Sequence, residues 1–241
     1  MTADSPYEPS DPAVLSVLHA RWARALTGAR NVPTAAPGPG PSPAPGPGRD
    51  PRPYAEELLA RWSEPQRRYH GTDHLVAVLD RIDLVADHAA DPDLVRIAAW
   101  FHDAVYRPDR AENEERSARL AERALPEAGL DPAATAEVAR LVRLTVSHAP
   151  GPGDANGAAL CDADLGVLAS DPEAYRAYAD AVREEYAFVP DDAFRRGRAE
   201  ILRRLLELPR LFHTPYGTRE WESAARANMT AELARLTAGA G

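Results

Sequence analysis

Lysine is missing from this chain of 241 residues: all 28 basic residues are arginine, against 37 acidic ones, for a formal net charge of −9. A general nucleic-acid binder usually shows a basic balance or stripe, so no nucleic-acid polymer is expected as a partner. Arginine alone suits phosphate recognition through its planar donor fork. It is more simply the coding habit of a GC-rich genome. Cysteine is nearly missing too. Cys161 stands alone and can form no intrachain disulfide, which makes a reduced, cytoplasmic setting the default expectation. No charged segment followed by an apolar core opens the chain, and no uncharged apolar run reaches about 18 residues, so neither a signal peptide nor a membrane span is expected. Period-two alternation is absent over any useful length, which excludes a sheet and predicts an all-α fold.

The segments that are present read as helices in series. Val14, Leu15, Leu18, Trp22 and Leu26 recur at helical spacing, predicting an N-terminal helix within residues 1–30 that packs on the main domain. Residues 31–53 then carry nine prolines and four glycines. Such a run cannot build a packed element, so it reads as a flexible insertion, and its Pro-Gly alternation lacks the spaced anchors of a docking motif. The main domain, residues 54–241, should bring the helix count to about eight to nine. Thr72 or Asp73 would cap a helix running to about His88, Asp91-Pro92 and Asp131-Pro132 would open two more, and Asp109 would cap one spanning about 111–125. Further helices are expected over about 158–169, 172–187, 192–208 and 219–236. In the last of these, Trp221, Ala224, Ala225, Asn228 and Met229 would face inward.

Three places put His or Asp where apolar patterning demands burial, and a buried ionisable group is costly unless paired or bound to a metal. His70 and His74 lie four residues apart, on one face if the turn between them is helical. His102 continues the buried stripe of Leu94 and Ala98, and Asp103 points about 100° away, yet both can reach one ion from a helix end. Asp162 and Asp164 are about 200° apart on a helix, so only one can face the core. Asp164 shares a stripe with Leu160, Val167 and Leu168 and is the expected ligand, with Asp162 left as a supporting or capping residue. Two neutral imidazoles and two carboxylates from these places would make a mixed nitrogen and oxygen site for one divalent metal, which could be manganese, iron, cobalt, nickel, zinc or magnesium. A metal in such a site lowers the pKa of bound water and polarises a phosphoryl oxygen, so hydrolysis is the natural reaction.

The segments YHGTDH, WFHDAVY, ENEERSA, LTVSHA, DADL, VREEY and RANM, within residues 54–236, resemble an uncharacterised bacterial group of predicted phosphohydrolases in the HD superfamily. That resemblance implies an HD-type helical domain with His74, His102, Asp103 and Asp164 as the metal ligands. It also implies metal-dependent hydrolysis, by a metal-bound hydroxide, of a small-molecule and nucleotide-like phosphoester. YHGTDH further resembles the Tyr-His-x-x-x-His segment of cyclic-nucleotide phosphodiesterases, which implies a proton-donating role for His70 beside the catalytic Asp103. The chain departs from other relatives. Alarmone hydrolases of the superfamily have an acidic pair shortly after HD, where this chain has Tyr106 and Arg107. The Glu that superfamily nucleotidases place just after HD is missing too. Binuclear members, and an iron oxygenase on the same scaffold, would need extra histidines, and only His148 lies in the relevant interval.

Several residues carry two readings. His148 would either touch substrate or metal or cap the C-terminus of its own helix. Asn113, Glu114 and Ser117 read as a solvated helix face, which the resemblance raises to substrate contact. Arg183 and Tyr186 could line a pocket together, or Arg183 could pair with Glu185 or Asp180. Arg67 and Arg68 are expected at the surface, the run Arg195, Arg196, Arg198, Arg203 and Arg204 on a solvated face, and His19, His88 and His213 as incidental. A reading from another class is a non-catalytic metal- or nucleotide-sensing module.

Overall fold

Helix-forming residues, Asp-Pro starts and buried stripes resolve, in the computed structural model, into eleven α-helices and no strand among the described residues, which are 12–31 and 50–238. The helices are α1 (Pro12–Asn31), α2 (Arg52–Trp62), α3 (Thr72–Val85), α4 (Pro92–Phe101), α5 (Asn113–Glu127), α6 (Pro132–Leu144), α7 (Ala155–Leu165), α8 (Pro172–Glu185), α9 (Asp191–Glu207), α10 (Pro215–Glu220) and α11 (Glu222–Thr237). Short 3-10 turns follow α3 and α7, over Ala86–His88 and Gly166–Ala169. The count exceeds eight to nine partly because the last expected helix breaks at Trp221 into α10 and α11. Most of the Pro/Gly-rich insertion lies outside the described residues. Its final residues join α2, where prolines at the N-cap and in the first turn sacrifice no intrahelical bond.

Asp91 and Asp131 cap α4 and α6 as their sequence context requires, each accepting two backbone N–H bonds ahead of a proline. Asp171 does the same for α8. Two expected caps fail. Gly71, with no side chain to offer, precedes α3, and Thr72 is already inside the helix. The helix expected at residue 111 starts at Asn113, after Glu112 rather than Asp109. There the Asn113 amide holds the preceding turn instead, accepting from Arg107 N at 3.1 Å and donating to the Arg107 and Arg110 carbonyls at 2.9 and 3.2 Å.

The main core is shared by α1 to α7. α1 belongs to it fully: Leu18, Trp22 and Leu26 are buried, and the Trp22 ring packs edge-on to Trp100 at 5.4 Å. At about 1.5–3 kcal/mol for each large apolar side chain removed from water, that face anchors α1 as a core element. A second core joins the C-terminal helices through Tyr175, Leu202, Phe212, Ala225 and Met229. Ala224, expected inward, is exposed, because the stripe of α11 runs through Ala225, Asn228, Met229 and Glu232. The run of arginines on α9 is not wholly a solvated face. Arg198 points inward, where it meets Glu232 at 2.8 Å and the ring of Tyr178. No described helix is long and apolar enough to cross a membrane.

Candidate metal centre

α3, α4 and α7 meet so that their polar ends converge. His74 sits in the first turn of α3 and Asp164 in the last turn of α7, while His102 and Asp103 lie just past the end of α4. His102 N still bonds Ala98 O at 2.9 Å, so its side chain continues the buried stripe while Asp103 turns with the chain. The Nε2 atoms of His74 and His102 are 3.3 Å apart. Asp164 Oδ1 lies 3.2 Å from the first and 3.6 Å from the second, and Asp103 Oδ2 lies 3.2 Å from His102 Nε2 and 3.9 Å from His74 Nε2. Ligands about 2.1 Å from a common ion stand roughly 3.0–3.4 Å apart at right to tetrahedral angles, so most of these separations match the edges of a coordination sphere.

Hydrogen bonding behind the donors points the same way. His102 Nδ1 is 2.8 Å from Ala99 O. A carbonyl can only accept, so Nδ1 carries the proton, and in the neutral ring Nε2 presents its lone pair to the cluster. Burial, outweighing the pull of Asp164, holds His74 below its ordinary value and hence neutral, as a ligand must be. Burial also opposes charge on His102, but Asp103 and Asp164 together push its proton affinity well up. The cluster is therefore starved of positive charge, a deficit that either a proton or a metal cation would fill. His74, His102 and Asp164 can hold a metal ion.

Water reaches the carboxylates but not the imidazoles of His74 and His102. The side chains of His74 and His102 are 2% exposed, those of Asp103 and Asp164 13% and 14%, and those of His70 and His148 22% and 23%. Trp62 closes the apolar side, its ring 5.4 Å from His102 and its indole N–H on Trp100 O at 3.0 Å.

His70 stands beside the cluster, bound to a residue that the sequence reading gave no place in the site. Glu185, buried on α8, accepts the backbone N–H of Arg68, Tyr69 and His70 on Oε1, at 2.8, 2.9 and 2.9 Å. Its Oε2 takes His70 Nδ1 at 2.6 Å and the Tyr106 hydroxyl at 3.0 Å. Burial works to raise the Glu185 carboxyl, but these donors hold it well below the usual range. Burial lowers His70, and the Glu185 bond with the nearby aspartates more than reverses this. Tyr106 stacks on the His70 ring at 4.2 Å. The signal for Glu185 was phase: Tyr175, Tyr178, Val182 and Glu185 fall on one face of α8, the test that picked Asp164.

His148 does two jobs. Its N–H closes α6 on Leu144 O at 3.0 Å, and Nε2 lies 2.8 Å from Asp164 Oδ2. Its φ of 48° is the one left-handed value at a non-glycine among the described residues. Asp162 faces away from the cluster and accepts His213 N and Thr214 N and Oγ1 at 2.7–2.8 Å, fixing the turn into α10.

Other expected contacts are placed elsewhere. Arg67 is buried rather than on the surface, its guanidinium donating to the His70 and Asp103 carbonyls at 2.8 Å each. It thus ties the two ligand-bearing segments together, while Arg68 is exposed as expected. Arg183 meets neither the cluster nor Glu185. It clamps the turn between α8 and α9 through Tyr186 O at 2.7 Å, Val189 O at 3.0 Å and Asp191 Oδ1 at 2.5 Å. The amide of Asn113 is taken by backbone, Ser117 Oγ holds Val105 N at 3.0 Å, and Glu114 is half-buried. Tyr186 stacks on Phe188 at 5.9 Å and neighbours Tyr106.

Comparison with protein families, with curated proteins and with solved structures finds no match for this chain.

Proposed function

We propose that the chain is a metal-dependent phosphohydrolase acting on a small, nucleotide-like phosphoester, with His74, His102, Asp103 and Asp164 holding one divalent cation. The observation that carries this reading is the placement of His102 Nε2, turned to the cluster because Nδ1 is tethered to Ala99 O, among two carboxylates and a second imidazole. The motif resemblance to the HD superfamily supports it. When bound, the cation supplies a Lewis acid that lowers the pKa of water and polarises a phosphoryl oxygen.

The surrounding residues fit the remaining steps. With Nδ1–H committed to Glu185, His70 keeps Nε2 to hold a proton and pass it to the leaving oxygen, as a general acid does. Stacking on Tyr106 fixes the ring plane, and Arg67 holds the carbonyls of both ligand-bearing segments, keeping donor and ligands in register. Trp62 excludes water behind the His74 and His102 imidazoles, and the carboxylates are the side of the cluster that solvent reaches.

The test is metal analysis of the purified chain followed by a screen of nucleotides and sugar phosphates with added Mn²⁺. Turnover is expected, and it should vanish in His102→Ala and Asp103→Ala. Metal binding without turnover of any phosphoester would instead establish the sensing module.

A further inference from the structure

Phosphoryl transfer needs a fixed cation for the non-bridging oxygens, and the arginines the sequence offers for that task are spent or displaced. Arg67 and Arg183 are committed to backbone carbonyls, and Arg68 is exposed. Arg81 is different. It lies seven residues after His74 on α3, so it shares that face to within about 20°, two turns further along. Side chains on a helix lean toward its N-terminus, which carries the Arg81 head back toward the cluster. Its one hydrogen bond among the described residues is a long one, 3.4 Å from Nη1 to Ala163 O, next to Asp164.

The path of that side chain is kept open by a glycine. A Cβ at Gly166 would collide with Arg81 Cδ and stand 2.9 Å from its Nε. Gly166 has helical φ and ψ, −60° and −20°, so its backbone needs no glycine. What the position needs is room for Arg81. Across from it, Tyr69 packs its ring 4.7 Å from His74 and 4.6 Å from Tyr178. Its phenol lies within electrostatic reach of both Arg81 and Asp164.

We propose that Arg81 and the Tyr69 phenol form the anion-binding wall of this site, receiving the non-bridging oxygens of a substrate phosphoryl group beside the metal ligands. This rests on the phosphohydrolase reading and names the group it recognises. A half-buried guanidinium held by one weak bond is free to make two charge-assisted bonds to a phosphate, where an arginine already clamped to carbonyls is not.

Titration calorimetry of inorganic phosphate into the full chain loaded with Mn²⁺ tests this, with Mn²⁺ affinity measured in parallel and folding checked by circular dichroism. Arg81→Gln should weaken phosphate by about tenfold or more with Mn²⁺ affinity nearly unchanged, and Arg81→Lys should recover part of the loss. Gly166→Ala, which keeps the arginine but blocks its path, should reproduce the loss, and Tyr69→Phe should show a smaller one. Unchanged phosphate affinity in Arg81→Gln overturns the assignment and leaves the metal site standing. Parallel loss of Mn²⁺ and phosphate in that variant makes Arg81 structural and equally overturns it. A wild-type chain that binds Mn²⁺ but no phosphate sinks the phosphohydrolase reading with it.

Discussion

Arg198, Glu232 and Tyr175 form a buried polar group between the C-terminal helices in which each charge has its opposite. The guanidinium meets the Glu232 carboxylate at 2.8 and 3.1 Å, and the Tyr175 hydroxyl donates to the same carboxylate. The cluster of His74, His102, Asp103 and Asp164 is buried to a similar degree, yet its members are two carboxylates facing two imidazoles with no arginine among them. Both are built on helical stripes, so burial alone does not separate them. What separates them is closure. A satisfied group specifies packing, and a group short of positive charge is poised for something the chain does not supply.

The widest gap between the two should appear on adding metal. Saturating Mn²⁺ at about 100 times its dissociation constant should stabilise the wild type by about 2.7 kcal/mol, read as a rise in Tm, and His102→Ala should abolish that rise. An equal rise in the variant would remove the cluster from consideration as the metal site. The C-terminal group should respond the other way: Glu232→Ala leaves Arg198 buried and unpaired, costing about 3–5 kcal/mol in urea unfolding, while the shift with metal persists. Loss of the metal response in that variant would mean that the two regions are coupled.

A smaller and sharper test uses His148. His148→Gly relieves a left-handed backbone, worth about 1 kcal/mol, and deletes the contact with Asp164. Stability should hold or rise while metal affinity falls by about 10–100-fold. A matched loss of both would show that the contact is only structural.

The smallest effect is at Asp83, which bridges Arg21 and Arg96 between α1, α3 and α4 with water access. Burial raises its carboxyl, and the two arginines outweigh this and depress it. Its contribution is therefore present above the unfolded value and fades as pH falls through the depressed folded one. Below about pH 4 the wild type should lose its advantage over Asp83→Asn, an advantage of at most about 1 kcal/mol at neutral pH. A pH-independent difference would contradict that sign.

How far the sequence could be read tracks how local each feature is. Asp164 was separable from Asp162 because a 200° difference is a property of one helix, and the structure turns Asp164 to the imidazoles and Asp162 to the turn before α10. The caps at Asp91 and Asp131 were legible for the same reason, through bonds spanning two or three residues. The cap on α3 was misread because the chain entering that helix is held from α8 instead, by Glu185.

Composition and periodicity alone pointed to an all-α fold, which the described residues have, and to His102 and Asp164 on buried stripes. Both follow from a 3.6-residue repeat that any short window reveals. Only the tertiary structure decided where the long side chains go: Arg67 and Arg183 to carbonyls, Arg198 to Glu232, and Glu185 to a histidine 115 residues away. A flexible charged side chain takes whichever partner folding brings within reach, and that partner comes from a different helix.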